Sequence, residues 1–143
     1  MVLAGLFAFL LGSIPFGLLI AYSYGIDIRQ HGSGNIGMTN VWRVAGWRAG
    51  ISVLLLDVIK GWLPTAAVSH FIHSNWLAYQ NGGVMSIWTD VLYIPVFTGL
   101  AAVLGHTFTP WLRFKGGKGV ATGLGVVLAL FGLLSWIPLA VFV

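Results

Sequence analysis

Val2-Leu3-Ala4-Gly5-Leu6-Phe7-Ala8-Phe9-Leu10-Leu11-Gly12-Ser13-Ile14-Pro15-Phe16-Gly17-Leu18-Leu19-Ile20 holds no charged side chain, and none follows before Asp27. A helix needs about 20 apolar residues to cross roughly 30 Å of bilayer hydrocarbon, so this run reads as a membrane span. No basic segment precedes it and no small-residue cleavage site follows, which predicts a retained helix and not a signal peptide. Gly12, Ser13 and Pro15 interrupt the run. Small residues let helices pack closely, and proline bends a helix by removing a donor.

Three further apolar stretches follow, at about residues 50–71, 91–112 and 120–143. Tyr22, Tyr24, Trp47, Trp88 and Trp111 gather near their ends, as aromatic side chains do at membrane–water interfaces. The whole chain of 143 residues is 58% apolar and 14% aromatic, with only 7% charged. Its mean hydropathy is +0.94. Soluble domains carry about 25% charged residues, so a water-covered surface is excluded. The expected fold class is all-α, a polytopic integral membrane helix bundle with four spans in a single transmembrane domain over residues 1–143.

The net charge of +4 does not point to nucleic acid, because its 7 Lys and Arg lie scattered between apolar runs without a basic helix or an RNA-binding aromatic motif. Arg29, Arg43, Arg48, Arg113, Lys115 and Lys118 fall in the first and third connections, while the second, roughly residues 70–90, holds no Lys or Arg. By the positive-inside rule the loops at about 25–49 and 113–119 are cytoplasmic and the N-terminus lies outside. With no Cys, disulfides, Cys–zinc sites and a Cys nucleophile are excluded.

The first cytoplasmic loop reads Gly32-Ser33-Gly34-Asn35-Ile36-Gly37-Met38-Thr39-Asn40-Val41-Trp42-Arg43. Its glycines formally match the dinucleotide fingerprint, but that fingerprint needs a preceding strand, and here an apolar span precedes it. Glycines nevertheless let backbone N–H groups converge on an anion. Ser33, Asn35, Thr39 and Asn40 add small hydrogen-bonding groups, and Arg43 adds a planar fork suited to phosphate. The plain alternative is a flexible turn facing water.

The second loop reads Arg113-Phe114-Lys115-Gly116-Gly117-Lys118-Gly119-Val120-Ala121-Thr122 and opens into the fourth apolar stretch. Backbone donors and the positive end of a helix make a phosphate seat there, with Lys118 as a point charge. It is not a Walker A loop, since Gly119 stands where Ser or Thr would follow the lysine. Its plain alternative is a positive-inside anchor. Two such loops on one membrane face together point to an anionic substrate.

Asp57 and Lys60 stand three apart on one face of the second span. Intramembrane charges are expensive and usually pair, so an ion pair is expected, with a role in shaping the site from below as the sharper alternative. His70 and His73 fall in the outer region, and no H-E-x-x-H motif supports a metal site. His106, near the cytoplasmic end of the third span, can bond within the bundle or assist the second loop. No G-x-S-x-G elbow is present.

Gly12-Ser13-Ile14-Pro15-Phe16-Gly17, the first loop, Asp57-x-x-Lys60-Gly61, Gly105-His106 and Phe114-Lys115-Gly116-Gly117-Lys118-Gly119-Val120-Ala121-Thr122, in that order, cover nearly the whole chain. Together they resemble the bacterial acyl-phosphate:glycerol-3-phosphate acyltransferases, the PlsY family. The resemblance implies transfer of a fatty acyl group from acyl phosphate to the 1-position of sn-glycerol 3-phosphate, giving lysophosphatidate. It further implies a multi-pass protein of the bacterial inner membrane, with seven spans in the family and the active site facing the cytoplasm. No metal and no cofactor are implied, nor acyl-CoA; the partners are the two substrates and membrane lipid, and a monomer is expected. Carried over by position, Ser33, Arg43 and Lys118 would be catalytic. Gly34, Asn35, Thr39, Asn40, Gly116 and Gly117 would bind substrate or phosphate. Ser33 would orient the hydroxyl, while Arg43 and Lys118 would neutralise phosphate charge.

An acyl phosphate is already activated, so positioning and charge stabilisation suffice without a covalent intermediate. The His-x4-Asp motif of other glycerolipid acyltransferases is absent: Ile36, Asn75, Ala78 and Trp111 stand five residues after the four histidines. Met38 stands where the family usually has Ala. The family's C-terminal third motif has no counterpart here and Val143 falls inside an apolar run, so a fragment is expected. The alternatives from other classes are a small transporter of phosphate-bearing solutes, for which no inverted repeat is visible, and an inactive scaffold.

Overall fold

A computed structural model describes residues 1–80 and 93–132, and the described residues are helical with no strand. Among the described residues six α-helices follow one another: α1 (Val2–Gly12), α2 (Phe16–Ser23), α3 (Met38–Ala45), α4 (Trp47–Gln80), α5 (Ile94–Thr107) and α6 (Val120–Phe131). Short 3-10 turns at Ile28–Gln30 and Pro110–Leu112 shape the two loops. Residues 81–92, which include most of the second connection, and residues 133–143, the last part of the fourth apolar stretch, lie outside the described residues.

The first apolar run is one 22-residue candidate span, Val2–Ser23, but it breaks where Pro15 falls. Pro15 supplies no N–H and disfavours helical geometry in the residue before it, so α1 ends at Gly12 and α2 begins at Phe16. Broken backbone at membrane depth must find partners inside the protein. Here Ser13 O accepts from Thr109 Oγ1 at 2.7 Å and Ile14 O accepts from Lys60 Nζ at 2.9 Å. Trp111 Nε1 also donates to Ser13 Oγ at 2.9 Å. Lys60 is thus a cross-tie between α4 and the broken span as well as a partner for Asp57.

The second span is longer than its apolar stretch. α4 runs for 34 residues through Pro64, roughly 50 Å at 1.5 Å per residue, and Trp47–Asn75 is long and apolar enough to cross a membrane. The third helix is shorter than expected: α5 ends at Thr107 rather than near residue 112, because Pro110 cannot continue it and the chain folds back at Thr109. The first loop, placed at about residues 25–49, contains α3. That short amphipathic helix buries Asn40 and Val41 and exposes Trp42 and Arg43.

Small residues set the packing. A Cβ on Gly12 would strike the backbone of Ala102, and one on Gly105 would strike Phe9 O, so α1 and α5 meet backbone to backbone. Gly61 lies likewise against Thr122 O, and Gly125 against Val58 O, at the α4–α6 crossing. Such close approach is how helices associate in a solvent as apolar as their own side chains. Large apolar groups point outward instead, among them Leu3, Phe7, Leu55 and Leu100, each more than half exposed.

Candidate functional site

The first loop is organised by its own side chains. Asn40, buried at the start of α3, donates from Nδ2 to His31 O (3.0 Å) and Asn35 O (2.9 Å) and accepts the Ser33 N–H on Oδ1 (3.0 Å). Asn35 Oδ1 accepts from Gly37 N at 2.8 Å, a side-chain-closed turn that leads into α3. Upstream, Asp27 caps the 3-10 turn by accepting from Arg29 N at 3.1 Å and grips the Arg29 guanidinium at 2.8 and 2.7 Å. The Arg29 guanidinium holds the Asp27 carboxyl down at about 2. Arg29 also donates to the Tyr22 hydroxyl at 2.7 Å. Asn40 is therefore committed to holding the loop, and Ser33 is left with its hydroxyl free of protein partners among the described residues.

The second loop is held differently. Gly116 N donates to Thr107 O at 2.9 Å and Gly117 N to His106 O at 3.2 Å, so the loop hangs from carbonyls that the end of α5 leaves unused. Gly117 is buried against the His106 ring: a Cβ there would meet Nε2 and Cε1 of the imidazole. Gly119, at φ +76°, then turns the chain into α6 in a left-handed conformation natural to glycine. No side chain caps that helix, so its first N–H groups remain available.

The two loops converge on one cavity of about 430 Å³. Ser33, Asn35, Thr39, Asn40 and Arg43 line it from the first loop and α3, and Lys118 from the second. Arg43 and Lys118 are exposed and form no ion pair among the described residues. Two unpaired cations, a free hydroxyl and an uncapped helix start around one space suit a phosphate. Gly34 and Gly116 are not brought to this cavity. They line a neighbouring depression of about 420 Å³ with Arg29, Arg113 and Lys115, while Gly117 sits beneath the loop on His106.

Beneath the polar rim the cavity turns apolar through Met38, Leu54, Val120, Ala121 and Leu124. These residues were not singled out in the sequence. The available signal was spacing: Leu54 lies one turn before Asp57, and Val120 and Leu124 share a face of α6. Asp57 and His106 complete the floor. Asp57 Oδ1 lies 2.8 Å from Lys60 Nζ, the expected pair, and 3.7 Å from His106 Nδ1. All three groups are buried.

The model of the glycerol-3-phosphate acyltransferase family matches residues 2–143. The chain belongs to that family. The glycerol-3-phosphate acyltransferase of Geotalea daltonii is 48% identical over 136 residues, covering 95% of this chain and 61% of the relative. The one from Aquifex aeolicus is 45% identical, covering 92% and 64%. Among solved structures, PlsY, an integral membrane glycerol 3-phosphate acyltransferase, aligns in its glycerol 3-phosphate form with a TM-score of 0.76 at 41% identity. That alignment covers 99% of this chain and 62% of PlsY. Its lysophosphatidic acid form gives 0.74 at 40% identity. The chain thus spans about three-fifths of the length of the acyltransferases it matches.

Proposed function

We propose that this protein acts as an acyltransferase, moving a fatty acyl group from acyl phosphate to the 1-hydroxyl of sn-glycerol 3-phosphate. The observation that carries the proposal is the single cavity in which Ser33, Arg43 and Lys118 meet above an apolar wall. A phosphate ester and an amphiphilic acyl donor are the two chemistries such a cavity accommodates together. Arg43 and Lys118 bind and neutralise phosphate charge, and Ser33 orients the hydroxyl. Asn35 and Thr39 add polar contacts, and the backbone of Gly34, Gly116 and Gly117 shapes the loops around the anions.

The reaction needs no covalent enzyme intermediate. The glycerol hydroxyl oxygen attacks the acyl carbonyl carbon, the bond from that carbon to the phosphate oxygen breaks, and the proton leaves with phosphate as hydrogen phosphate. Lysophosphatidate is the ester product. Pre-placed charges around the leaving phosphate lower the barrier because they need no reorganisation during the step.

The membrane placement follows the same reading: four spans, the N-terminus outside, and the cavity opening to the cytoplasm of a bacterial inner membrane. The charge asymmetry of the connections supports it. The test is incorporation of labelled glycerol 3-phosphate into lipid by membranes carrying the protein, with acyl phosphate as donor. Transfer that falls about a hundredfold or more in Lys118→Ala is the expected result. No transfer, or transfer indifferent to that substitution, would overturn the assignment.

A further inference from the structure

Asp57, Lys60 and His106 bring three ionisable side chains into the bundle, each at most 4% exposed. Two of them have accounted-for roles. Lys60 ties the broken first span through Ile14 O, and Asp57 compensates its charge at 2.8 Å. His106 has no such explanation. Its Nδ1 makes no hydrogen bond and faces Asp57 Oδ1 at 3.7 Å, and the opposite edge of its ring lies against Gly117. An apolar side chain would fill this place without the cost of burying an imidazole.

What the ring touches distinguishes it. His106 contributes its backbone carbonyl to Gly117 N and its ring to the underside of Gly117, so one residue grips the same glycine twice. The next residue in sequence is Lys118, the phosphate-facing cation of the loop. Gly117 and Lys118 share one peptide unit, so any shift of the glycine moves the backbone of that lysine. Asp57 lies on the other side of the ring and is itself fixed by Lys60. The sequence of contacts runs from the broken span through Lys60, Asp57 and the His106 ring to Gly117 and Lys118.

We propose that His106, packed between Asp57 and Gly117, is a positioning residue that sets the height of the Gly116-Gly117-Lys118 loop over the phosphate seat. The inference rests on the acyltransferase reading for its consequence, but its physical content, control of the loop by the ring, is separate from turnover.

Amide hydrogen exchange on the purified full chain tests it, with His106→Ala, His106→Asn and Gly117→Ala as variants. His106→Asn keeps a planar polar group near Asp57. In His106→Ala the amides of Gly116 and Gly117 exchange at least tenfold faster, while the Ser33–Asn40 loop and α4 are unchanged. His106→Asn recovers part of that protection. Gly117→Ala pushes the ring aside in the wild-type background, and its effect on binding of glycerol 3-phosphate disappears once His106→Ala has removed the ring, so the two changes are strongly non-additive. Unchanged exchange at the loop, uniform loosening of the whole bundle, or additive losses would each overturn the proposal. Absence of acyl transfer by the wild type, with the exchange pattern intact, would count against the acyltransferase reading and leave the positioning role standing.

Discussion

The two glycine-rich loops meet at one cavity yet are built on opposite principles. The first ties itself: Asn40 closes three hydrogen bonds within residues 31–40, and Asn35 and Asp27 close turns of their own. The second makes no side-chain hydrogen bond of its own: the side chains of Arg113, Lys115 and Lys118 bond to no protein group among the described residues. It borrows its shape from the end of α5, through Thr107 O, His106 O and the His106 ring. A self-tied loop keeps its form when its surroundings move, whereas a borrowed one follows the helix that lends it. The first loop is therefore the rigid half of the site and the second the half that helix packing can tune.

That contrast can be broken at several points. The largest effect belongs to Lys118, which is exposed and supports no other group among the described residues. Lys118→Ala should lower kcat/KM for acyl transfer by about a hundredfold or more while leaving thermal unfolding in detergent unchanged. A matching loss of stability would mean that the lysine also holds the fold.

Asn40→Ala attacks the self-tied loop at its knot. It removes three part-buried hydrogen bonds, to His31 O, Asn35 O and Ser33 N, each worth about 0.5–1.5 kcal/mol where water can reach the freed group. Stability and binding of glycerol 3-phosphate should fall together, and calorimetric unfolding checks the first. Gly116→Ala makes the reciprocal change, since its Cβ would press on His106 O and Thr107 O. Displacing that backbone should cost roughly 1–3 kcal/mol and weaken phosphate binding, with exchange of the first loop unaffected.

The smallest effect is at Asp27. Its carboxyl is held at about 2, below its usual 3.8, chiefly by the hydrogen bond from Arg29. A depressed carboxylate stabilises the fold above its unfolded pKa and loses that contribution as protons bind. The 3-10 turn at residues 28–30 should therefore loosen between about pH 4 and pH 2 and not above. Amide exchange of Arg29 and Gln30, corrected for intrinsic rates, would show it, and a transition near neutrality would contradict it.

Much of this was legible in the sequence because hydrophobic runs and glycine-rich loops are local signals. The apolar stretches marked the helices, and Ser33, Asn35, Thr39, Arg43 and Lys118 marked the rim of the cavity, whereas Gly34, Gly116 and Gly117 lie away from it. What escaped was non-local. Pro15 foretold a bend, but the three-dimensional neighbours Thr109 and Lys60 show how a full break is satisfied. Asn40 looked like a ligand contact because its residue type suits one; it does line the cavity, but both Nδ2 protons and Oδ1 are engaged with His31 O, Asn35 O and Ser33 N, a commitment no local signal reveals. The length of α5 was misjudged because Phe108 and Trp111 are as apolar as the helix they follow, and Pro110 was the overlooked stop. The apolar wall of Met38, Leu54 and Leu124 joins α3 and α4 to the distant α6, and no single window contains it.

The central claim is that two differently built loops are halves of one phosphate site. Equilibrium binding of labelled glycerol 3-phosphate to the purified protein, with Arg43→Ala and Lys118→Ala alongside, tests it most directly. One saturable site, weakened at least tenfold by either substitution alone, is the result predicted. Undiminished binding in either variant would mean that one loop holds the anion by itself, and the shared site would have to be abandoned.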